Sequence, residues 1–244
     1  ERVDMPDQAQ VDRFLPPYEP RQVLDPNDPV TIGAMVGPEA FTEVRYLAHA
    51  KQMQALDLIP QIAEEFKKEF GRDSGGLIKT YQTEDAETIV IALGSVLGTI
   101  KDTVDDLRAE GVKVGVLGIT SYRPFPISAI RDATAHAKRI VVIEKCFAVG
   151  IGGIVSRDVR SAVRNRPQPV LTVVAGLGGR AITKASVHQL LLDAIVDKLE
   201  LLTFLDLDWA VVNRVLEREK THRRSGPIAE GILRDMGTVS PPVA

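Results

Sequence analysis

The hydrophobic positions between residues 88 and 119 predict a β-strand, an α-helix and a second β-strand. Thr88–Leu93 is a short apolar run rich in β-branched side chains, which is typical of a strand buried on both faces. Within Val96–Leu107 the apolar residues recur at helical spacing, with charged residues between them. Gly111 follows at the position where a left-handed residue often ends a helix, and Val112–Ile119 is a second buried-type strand. Such a unit crosses over right-handedly into a parallel sheet.

The same alternation continues along the chain and predicts the fold class. Strands are expected at Leu77–Gln82, Arg139–Glu144 and Pro169–Ala175, and helices at Ile127–Ala137, Ile154–Asn165 and Thr183–Glu200. Alternating strands and helices of this length indicate an α/β fold, with a three-layer, open, mostly parallel sheet.

The segment before this unit has a different character. Glu1–Pro38 contains seven prolines, which lack an N–H donor and predict an extended, irregular arm. Apolar residues are interleaved with them, which predicts that the arm lies on another surface; that surface is either its own domain or another subunit. These residues are Val11, Phe14, Leu15, Tyr18, Val30, Ile32, Met35 and Val36.

Two further helices flank the predicted sheet. Glu39–Phe70 shows a long helical pattern ended by Gly71, and we expect Pro60 to kink or split it, since a proline inside a helix costs ~3 kcal/mol. Asp208–Lys220 is a helical pattern followed by a basic run, His222–Arg224, and by a tail with two adjacent prolines, Pro241 and Pro242. The sequence therefore predicts an arm and long helix over 1–75, the α/β domain over 76–200, and a helical tail and C-terminal arm over 201–244.

Composition excludes several classes of protein. The 244 residues carry a net charge of −3, whereas a dedicated nucleic-acid binder shows a clustered basic excess. A single cysteine excludes an internal disulfide framework and a self-contained iron–sulfur cluster. The longest apolar runs are too short to cross a bilayer, and no signal-peptide pattern opens the chain. We therefore expect no nucleic-acid partner, no membrane span and a cytoplasmic location.

Three glycine-rich loops are expected at the carboxyl edge of the sheet, where open α/β folds bind ligands. They are Gly94–Gly98, Val149–Gly153 and Gly176–Arg180. The first lacks the G-x-G-x-x-G spacing of a dinucleotide site, and no acidic residue ends the second strand. The last contains Arg180, which would favour weak anion binding at the start of the following helix. The alternative interpretation is that its glycines serve a tight turn or a close approach to a neighbouring subunit.

The remaining reactive side chains do not form a recognisable catalytic or metal motif. Lys145 lies beside Cys146 in the sequence, which favours a thiolate, but a lone cysteine near a strand end is more often a small packed side chain. The four histidines lack the spacing of a zinc site, and neither a nucleophile elbow nor a P-loop is present. We therefore assign no catalytic, cofactor-binding or metal-binding residue in this chain.

Several motifs taken together carry a resemblance to a known family. The motif YRPFP at Tyr122–Pro126, the segment Tyr81–Ser95 before it, and AGLGGR at Ala175–Arg180 resemble the α-subunit of the thiamine-diphosphate-dependent 2-oxoacid:ferredoxin oxidoreductases. Pyruvate:ferredoxin oxidoreductase is the best-known member. FLPPY at Phe14–Tyr18 and FTEVRY at Phe41–Tyr46 are similar to the family as well.

The resemblance implies a fold and a division of labour. It implies a transketolase C-terminal-like domain whose first strand, Leu77–Gln82, runs antiparallel to the rest and which packs subunits together. In the family the cofactor lies between a pyrimidine-binding domain and a pyrophosphate-binding domain. The pyrimidine-binding domain is expected before Glu1. The Gly-Asp-Gly motif of the pyrophosphate-binding domain does not occur in this sequence. The chain is therefore expected to be the C-terminal part of such an α-subunit.

The resemblance predicts an assembly role in a complex that oxidatively decarboxylates a 2-oxoacid, generally to an acyl-coenzyme A, with electrons passing to ferredoxin or a similar acceptor. Thiamine diphosphate, Mg²⁺ and iron–sulfur clusters are expected in other chains: those with the pyrimidine and pyrophosphate domains, a γ-type chain and a ferredoxin-type chain. This chain is expected not to be catalytic alone. The alternatives are an independent anion- or nucleotide-binding enzyme and an assembly module of another thiamine enzyme.

Overall fold

A six-stranded sheet forms the centre of the α/β region. A computed structural model of the protein describes residues 4–20, 22–29, 33, 35–221 and 226–238. The strand order is β1-β3-β2-β4-β5-β6. The strands are β1 Ile78–Tyr81, β2 Thr88–Ala92, β3 Val114–Ile119, β4 Arg139–Glu144, β5 Val170–Val174 and β6 Leu202–Phe204. The helices are α1 Gln8–Phe14, α2 Phe41–Phe70, α3 Val96–Ala109, α4 Ile127–Ala133, α5 Val155–Ala162, α6 Lys184–Ile195, α7 Trp209–Thr221 and α8 Ile228–Asp235.

The sheet confirms the predicted fold class. Strands β2, β3, β4 and β5 pair in parallel, whereas β1 pairs with β3 in the antiparallel direction, with Ile78 opposite Ile119. The first strand is thus the antiparallel one, as the family resemblance implied. Every residue of β2, β3 and β5 is buried, which explains their continuous apolar sequences.

Helices cover both faces of the sheet. Alternate residues of the parallel strands pack with α4 and α5 on one face, in a core that includes Ile89, Ile91, Ile130 and Val159. Helices α3 and α6 contact each other, and α3 contacts β3. Val104 and Leu107 of α3 are fully buried, in keeping with the amphipathic pattern. The result is the predicted three-layer arrangement.

The contact pattern groups residues Glu1–Thr203 into one compact unit and residues Phe204–Ala244 into another. Within the second unit, α7 packs with α8, and Arg218 of α7 donates to the carboxylate of Asp235 on α8 at 2.8 Å. The predicted division at residues 75 and 200 stays a prediction. His222–Arg224 and Pro241–Pro242 lie outside the described residues.

The N-terminal arm differs from its expected irregular path. Residues Gln8–Phe14 form a helix because the Asp7 carboxylate accepts from the Gln10 amide at 2.7 Å, while the Gln10 side chain accepts from the Asp7 amide at 3.0 Å. The Phe14 ring makes edge contacts with Phe66 and Phe70 of α2, with ring centres 5.7 and 5.3 Å apart. Part of the arm therefore packs on its own chain.

Other apolar side chains of the arm are exposed to solvent. The side chains of Leu15 and Tyr18 are 59% and 88% exposed. Val30 and Ile32 belong to the residues that the structure does not describe. Burial of the arm against another chain stays a prediction.

One predicted helix boundary is wrong, and Pro60 does not split its helix. Helix α2 continues through Pro60 from Phe41 to Phe70 and ends at Gly71 in a left-handed conformation, while a kink at Pro60 stays a prediction. The helix predicted over Thr183–Glu200 ends at Ile195; a turn with Asp197 at positive φ follows, and Leu202–Phe204 is the edge strand β6. The helix α8 in the tail was not predicted.

Candidate functional site at the carboxyl edge of the sheet

A cleft of about 510 Å³ opens where three chain segments leave the carboxyl edge of the sheet. One wall follows β2, at Gly94 and Ser95; a second is the end of β4, at Glu144–Cys146; and the third follows β5, at Gly176–Arg180. The cleft lies between strands whose crossovers run to opposite sides, which is where open α/β sheets place ligands.

Two of the three predicted glycine loops line this cleft. Gly94 and Gly176 adopt φ values of 83° and 76°, which favour glycine, and each turns the chain sharply away from its strand. The third loop, Val149–Gly153, closes on itself instead, since the Ala148 amide donates to the Gly152 carbonyl at 2.8 Å. The sequence correctly placed two loops at one site but did not separate the third from them.

The carboxylate of Glu144 was not singled out from the sequence, yet three backbone amides bond to it. Its side chain accepts hydrogen bonds from the backbone amides of Ile154, Val155 and Ser156 at 2.8, 2.8 and 3.0 Å. The residue is only 5% exposed. The sequence offers one weak signal for it, an acidic residue directly after the buried apolar run Ile140–Ile143.

Glu144 changes what the cleft can bind. The free amides and the dipole at a helix N-terminus favour an anion, and at α5 the protein's own carboxylate already takes that place. An external phosphate is therefore excluded from the start of α5. Near the cleft, the start of α3 is different, because Ser95 makes no side-chain cap there.

The other side chains of the cleft are polar but do not form an acid–base pair. Ser95, Thr99, Lys145 and Arg180 line it, and Cys146 is exposed rather than packed, contrary to the expectation for a lone cysteine. No histidine is among the lining residues, and Glu144 is committed to backbone amides. The chemistry that this set supports is recognition of a polar or anionic group by hydroxyls and cations.

The YRPFP loop forms a second cluster at this edge, between β3 and α4. Arg123 donates to Asp158 of α5 at 2.7 Å, and the Tyr122 hydroxyl donates to the same carboxylate oxygen at 2.9 Å. The Arg123 guanidinium also lies 4.1 Å from the centre of the Tyr122 ring. Partial burial, and then the bond to Asp158, raise the pKa of Tyr122, and the same carboxylate raises the pKa of Arg123.

Phe125 completes this cluster as an apolar contact. Its ring packs edge-on against Tyr122, with centres 6.0 Å apart, and it contacts the buried core. Pro124 and Pro126 on either side are buried, and the Arg123–Pro124 peptide bond is cis. Arg123 thus bonds both to the Asp158 carboxylate and to the Tyr122 carbonyl, while Phe125 packs against apolar neighbours.

The described side chains do not form a ligand set for a metal ion or an iron–sulfur cluster. An iron–sulfur cluster needs several thiolates, and the sequence contains one cysteine. Within the described ranges, no group of three or more His, Cys, Asp or Glu side chains is arranged to hold a metal ion. None of the described helices is long and apolar enough to span a bilayer.

Comparison with known proteins identifies the α/β region. Residues 86–187 match the family described as "Pyruvate:ferredoxin oxidoreductase core domain II". The pyruvate synthase subunit PorA of Methanosarcina barkeri is 41% identical over 194 residues, which cover 78% of this chain and 48% of that subunit. The ketoisovalerate oxidoreductase subunit VorA of Pyrococcus horikoshii is 35% identical over 193 residues, covering 78% of this chain and 49% of that subunit. The chain thus spans about half the length of the curated relatives it matches.

Two solved structures give weaker likenesses. A 2-oxoglutarate:ferredoxin oxidoreductase from Magnetococcus marinus is 22% identical with a TM-score of 0.41, over 56% of this chain and 24% of that one. A split-gene transketolase is 19% identical with the same TM-score of 0.41, over 50% of this chain and 43% of that one.

The sequence comparisons agree with the motifs and with the observed sheet. Residues 86–187 are therefore a pyruvate:ferredoxin oxidoreductase core domain II, in a chain homologous to the PorA and VorA subunits over about three quarters of its length.

Proposed function

We propose that this chain serves as the assembly part of the α-subunit of a 2-oxoacid:acceptor oxidoreductase complex and is not catalytic alone. The observation that carries the proposal is the 41% identity with a pyruvate synthase subunit over 194 residues. The complex would oxidatively decarboxylate a 2-oxoacid to an acyl-coenzyme A, with ferredoxin or a similar carrier as the acceptor, in the cytoplasm.

The partners follow from the same proposal. Thiamine diphosphate, Mg²⁺ and the iron–sulfur clusters would be held by the pyrimidine-domain, pyrophosphate-domain, γ-type and ferredoxin-type parts of the complex. The chain would contribute its packing surfaces. This accords with the cleft, where the buried carboxylate is used for structure and the lining offers no acid–base pair.

Helix α2 offers a surface suited to assembly. Its second half packs through Phe66 and Phe70 against α1, whereas its first half carries large apolar side chains in solvent. Phe41, Val44 and Leu47 are 54%, 44% and 61% exposed. Monomeric proteins seldom leave large apolar patches exposed, so we assign this half of α2 to contact with another part of the complex.

The proposal is tested by co-expressing the chain with the neighbouring subunits of its source organism and purifying by a tag on this chain. We expect co-purification of chains that carry thiamine diphosphate and iron–sulfur absorbance. The double variant Phe41→Asp/Leu47→Asp should lose these partners. The matched control His49→Asp/Gln54→Asp places two aspartates at polar, exposed positions of the same helix half and should keep them.

Circular dichroism of both variants checks that α2 still folds. A solitary chain that turns over a 2-oxoacid by itself would contradict the proposal. Equal partner recovery with both double variants would remove α2 from the assembly surface while leaving the family assignment intact.

A further inference from the structure

A cleft of about 550 Å³ between α4 and α5 lies on the flank of the α/β layer and is lined by three arginines. They are Arg131, Arg164 and Arg166, and the rest of the lining is Ile127, Ser161 and Asn165. Among the described residues, no acidic side chain contributes to the lining, although the chain as a whole has a net charge of −3. We call these six residues the arginine groove.

The local structure holds the arginines together. Helices α4 and α5 contact each other, and Arg131 donates through Nε to the Ala162 carbonyl at 2.7 Å. Asn165 has a φ of 68°, so the chain reverses after α5 and both Arg164 and Arg166 line the groove. A hydrogen bond of 3.3 Å from Gln168 to the Thr134 carbonyl fastens the following segment.

The ordinary explanation for arginines near the end of a helix accounts for only one of the three. A cation at a helix C-terminus stabilises the exposed carbonyls, and Arg131 does this at Ala162. Among the described residues, no hydrogen bond or ion pair engages the guanidinium group of Arg164 or Arg166. The guanidinium groups of Arg164 and Arg166 therefore line the groove without a described hydrogen-bond or ion-pair partner.

The nearest acidic residues along α4 and α5 do not neutralise the groove. Asp132 follows Arg131 but is not part of the lining, and Asp158, an early residue of α5, bonds to Arg123 and Tyr122. Beyond Arg166 the surface continues into a second cleft with Lys138, whose amine pairs with Glu87 at 2.8 Å. Because Glu87 neutralises Lys138, the unpaired positive charge belongs to the arginine groove itself.

We propose that the arginine groove docks an acidic segment of a partner polypeptide. Guanidinium groups bind carboxylates with two parallel hydrogen bonds, which fits a row of Asp and Glu side chains. The groove is open and shallow and has a partly exposed apolar residue, Ile127, in its lining, features that suit an extended segment better than an enclosed small molecule. The inference does not depend on the proposed assembly function, since the groove and α2 are different surfaces.

The test uses the full 244-residue chain and a fluorescent peptide of alternating Asp and Glu, titrated by anisotropy at low and at near-physiological salt. We expect saturable binding that weakens as salt rises, because exposed charges are screened. The variant Arg164→Ala/Arg166→Ala should weaken binding about fivefold, on the scale of two exposed ion pairs. Arg131 is kept because it also caps α5.

The matched control is Arg45→Ala/Lys68→Ala, which removes two exposed cations from α2 and lowers the net charge equally. It should bind the peptide like the unchanged chain, and thermal unfolding of both variants checks their folds. Equal loss in both double variants would show a general charge effect and overturn the proposal, as would the absence of binding at low salt. Arginine-dependent binding of inorganic phosphate without peptide binding would overturn it in favour of a small-anion site.

Discussion

The carboxylate of Glu144 occupies the space into which a β-carbon on Gly153 would project. The same carboxylate bonds the three amides that open α5, so the glycine backbone and the buried glutamate form one joint between β4 and α5. Gly153 is required here for space rather than for an unusual backbone angle, since its φ is not in the left-handed region. The stability of this edge is therefore expected to depend on the absence of a β-carbon at Gly153.

The variant Gly153→Ala should lower the free energy of unfolding by about 1–3 kcal/mol, because the carboxylate must move away from its amides. Chemical denaturation measures this. The control Gly98→Ala lies in the exposed first turns of α3, where an added β-carbon meets no atom within 4 Å, and it should stabilise the chain by up to about 1 kcal/mol. If Gly153→Ala leaves the free energy of unfolding unchanged, or changes it by the same amount as Gly98→Ala, then Glu144 is not held as described.

Removing the ring of Phe125 should cost about 3 kcal/mol of folding free energy, the usual scale for a truncated core aromatic. The ring contacts both Tyr122 and the buried core, so its loss leaves a cavity beneath the YRPFP loop. Phe41→Ala, at an exposed position of α2, should change the stability of the isolated chain by less than about 0.5 kcal/mol. If Phe125→Ala left stability and assembly intact but abolished turnover of the complex, the loop would belong to the active site instead.

Tyrosine ionisation should report the Tyr122–Asp158 contact. The pKa of Tyr122 is raised by partial burial and by its bond to Asp158, so the neutral phenol is favoured in the folded state. The associated stability is present below the unfolded-state pKa of about 10 and is lost as the pH rises through the higher folded-state value. Ultraviolet titration of the phenols should show a transition of Tyr122 above the ordinary range.

The matched variants assign that transition. Tyr122→Phe should remove it, whereas Tyr18→Phe, at a side chain that is 88% exposed, should leave it in place. Asp158→Ala should move it to lower pH, because the carboxylate no longer opposes ionisation. A transition that persists in Tyr122→Phe belongs to another tyrosine and contradicts the assignment.

The isolated chain should bind none of the usual redox or thiamine cofactors tightly. A diphosphate needs several convergent amides and a cation or metal, and at the start of α5 those amides are taken by Glu144. Weak anion binding near Gly179 and Arg180 is expected at roughly millimolar strength, about −4 kcal/mol. Calorimetry with thiamine diphosphate and Mg²⁺, NAD(H), FAD and coenzyme A measures this directly. A micromolar dissociation constant for any of them would move the functional site into the carboxyl-edge cleft.

The parallel strands could be predicted from the sequence because their apolar runs alternate regularly with helical patterns. Strands β2 and β4 contain the apolar runs Ile89–Ala92 and Ile140–Ile143, which are typical of buried parallel strands, and their observed bounds differ little from the predicted ones. The antiparallel direction of β1 came from the family resemblance, since nothing in Ile78–Tyr81 alone specifies its pairing partner.

The errors arose where tertiary contacts override local preference. Helix α1 forms amid prolines because Asp7 and Gln10 make a local capping box and because Phe14 packs on two rings of α2 that lie more than fifty residues away in sequence. Helix α2 continues through Pro60, so the local cost of a proline inside a helix does not end it. At the site, Glu144 was missed because an acidic strand end has no motif until its three amide partners are brought beside it.

The lengths of the outer strands have a consequence for how copies of this protein meet. The interior strands have five or six residues, whereas β1 has four and β6 has three. On β1 the side chain of Lys79 pairs with Asp73 at 3.0 Å, which places charge beside the edge. Short, charged edges resist edge-to-edge pairing, the first step of sheet extension and aggregation. Association is therefore expected to use helical surfaces, such as the exposed apolar first half of α2, rather than the edges of the sheet.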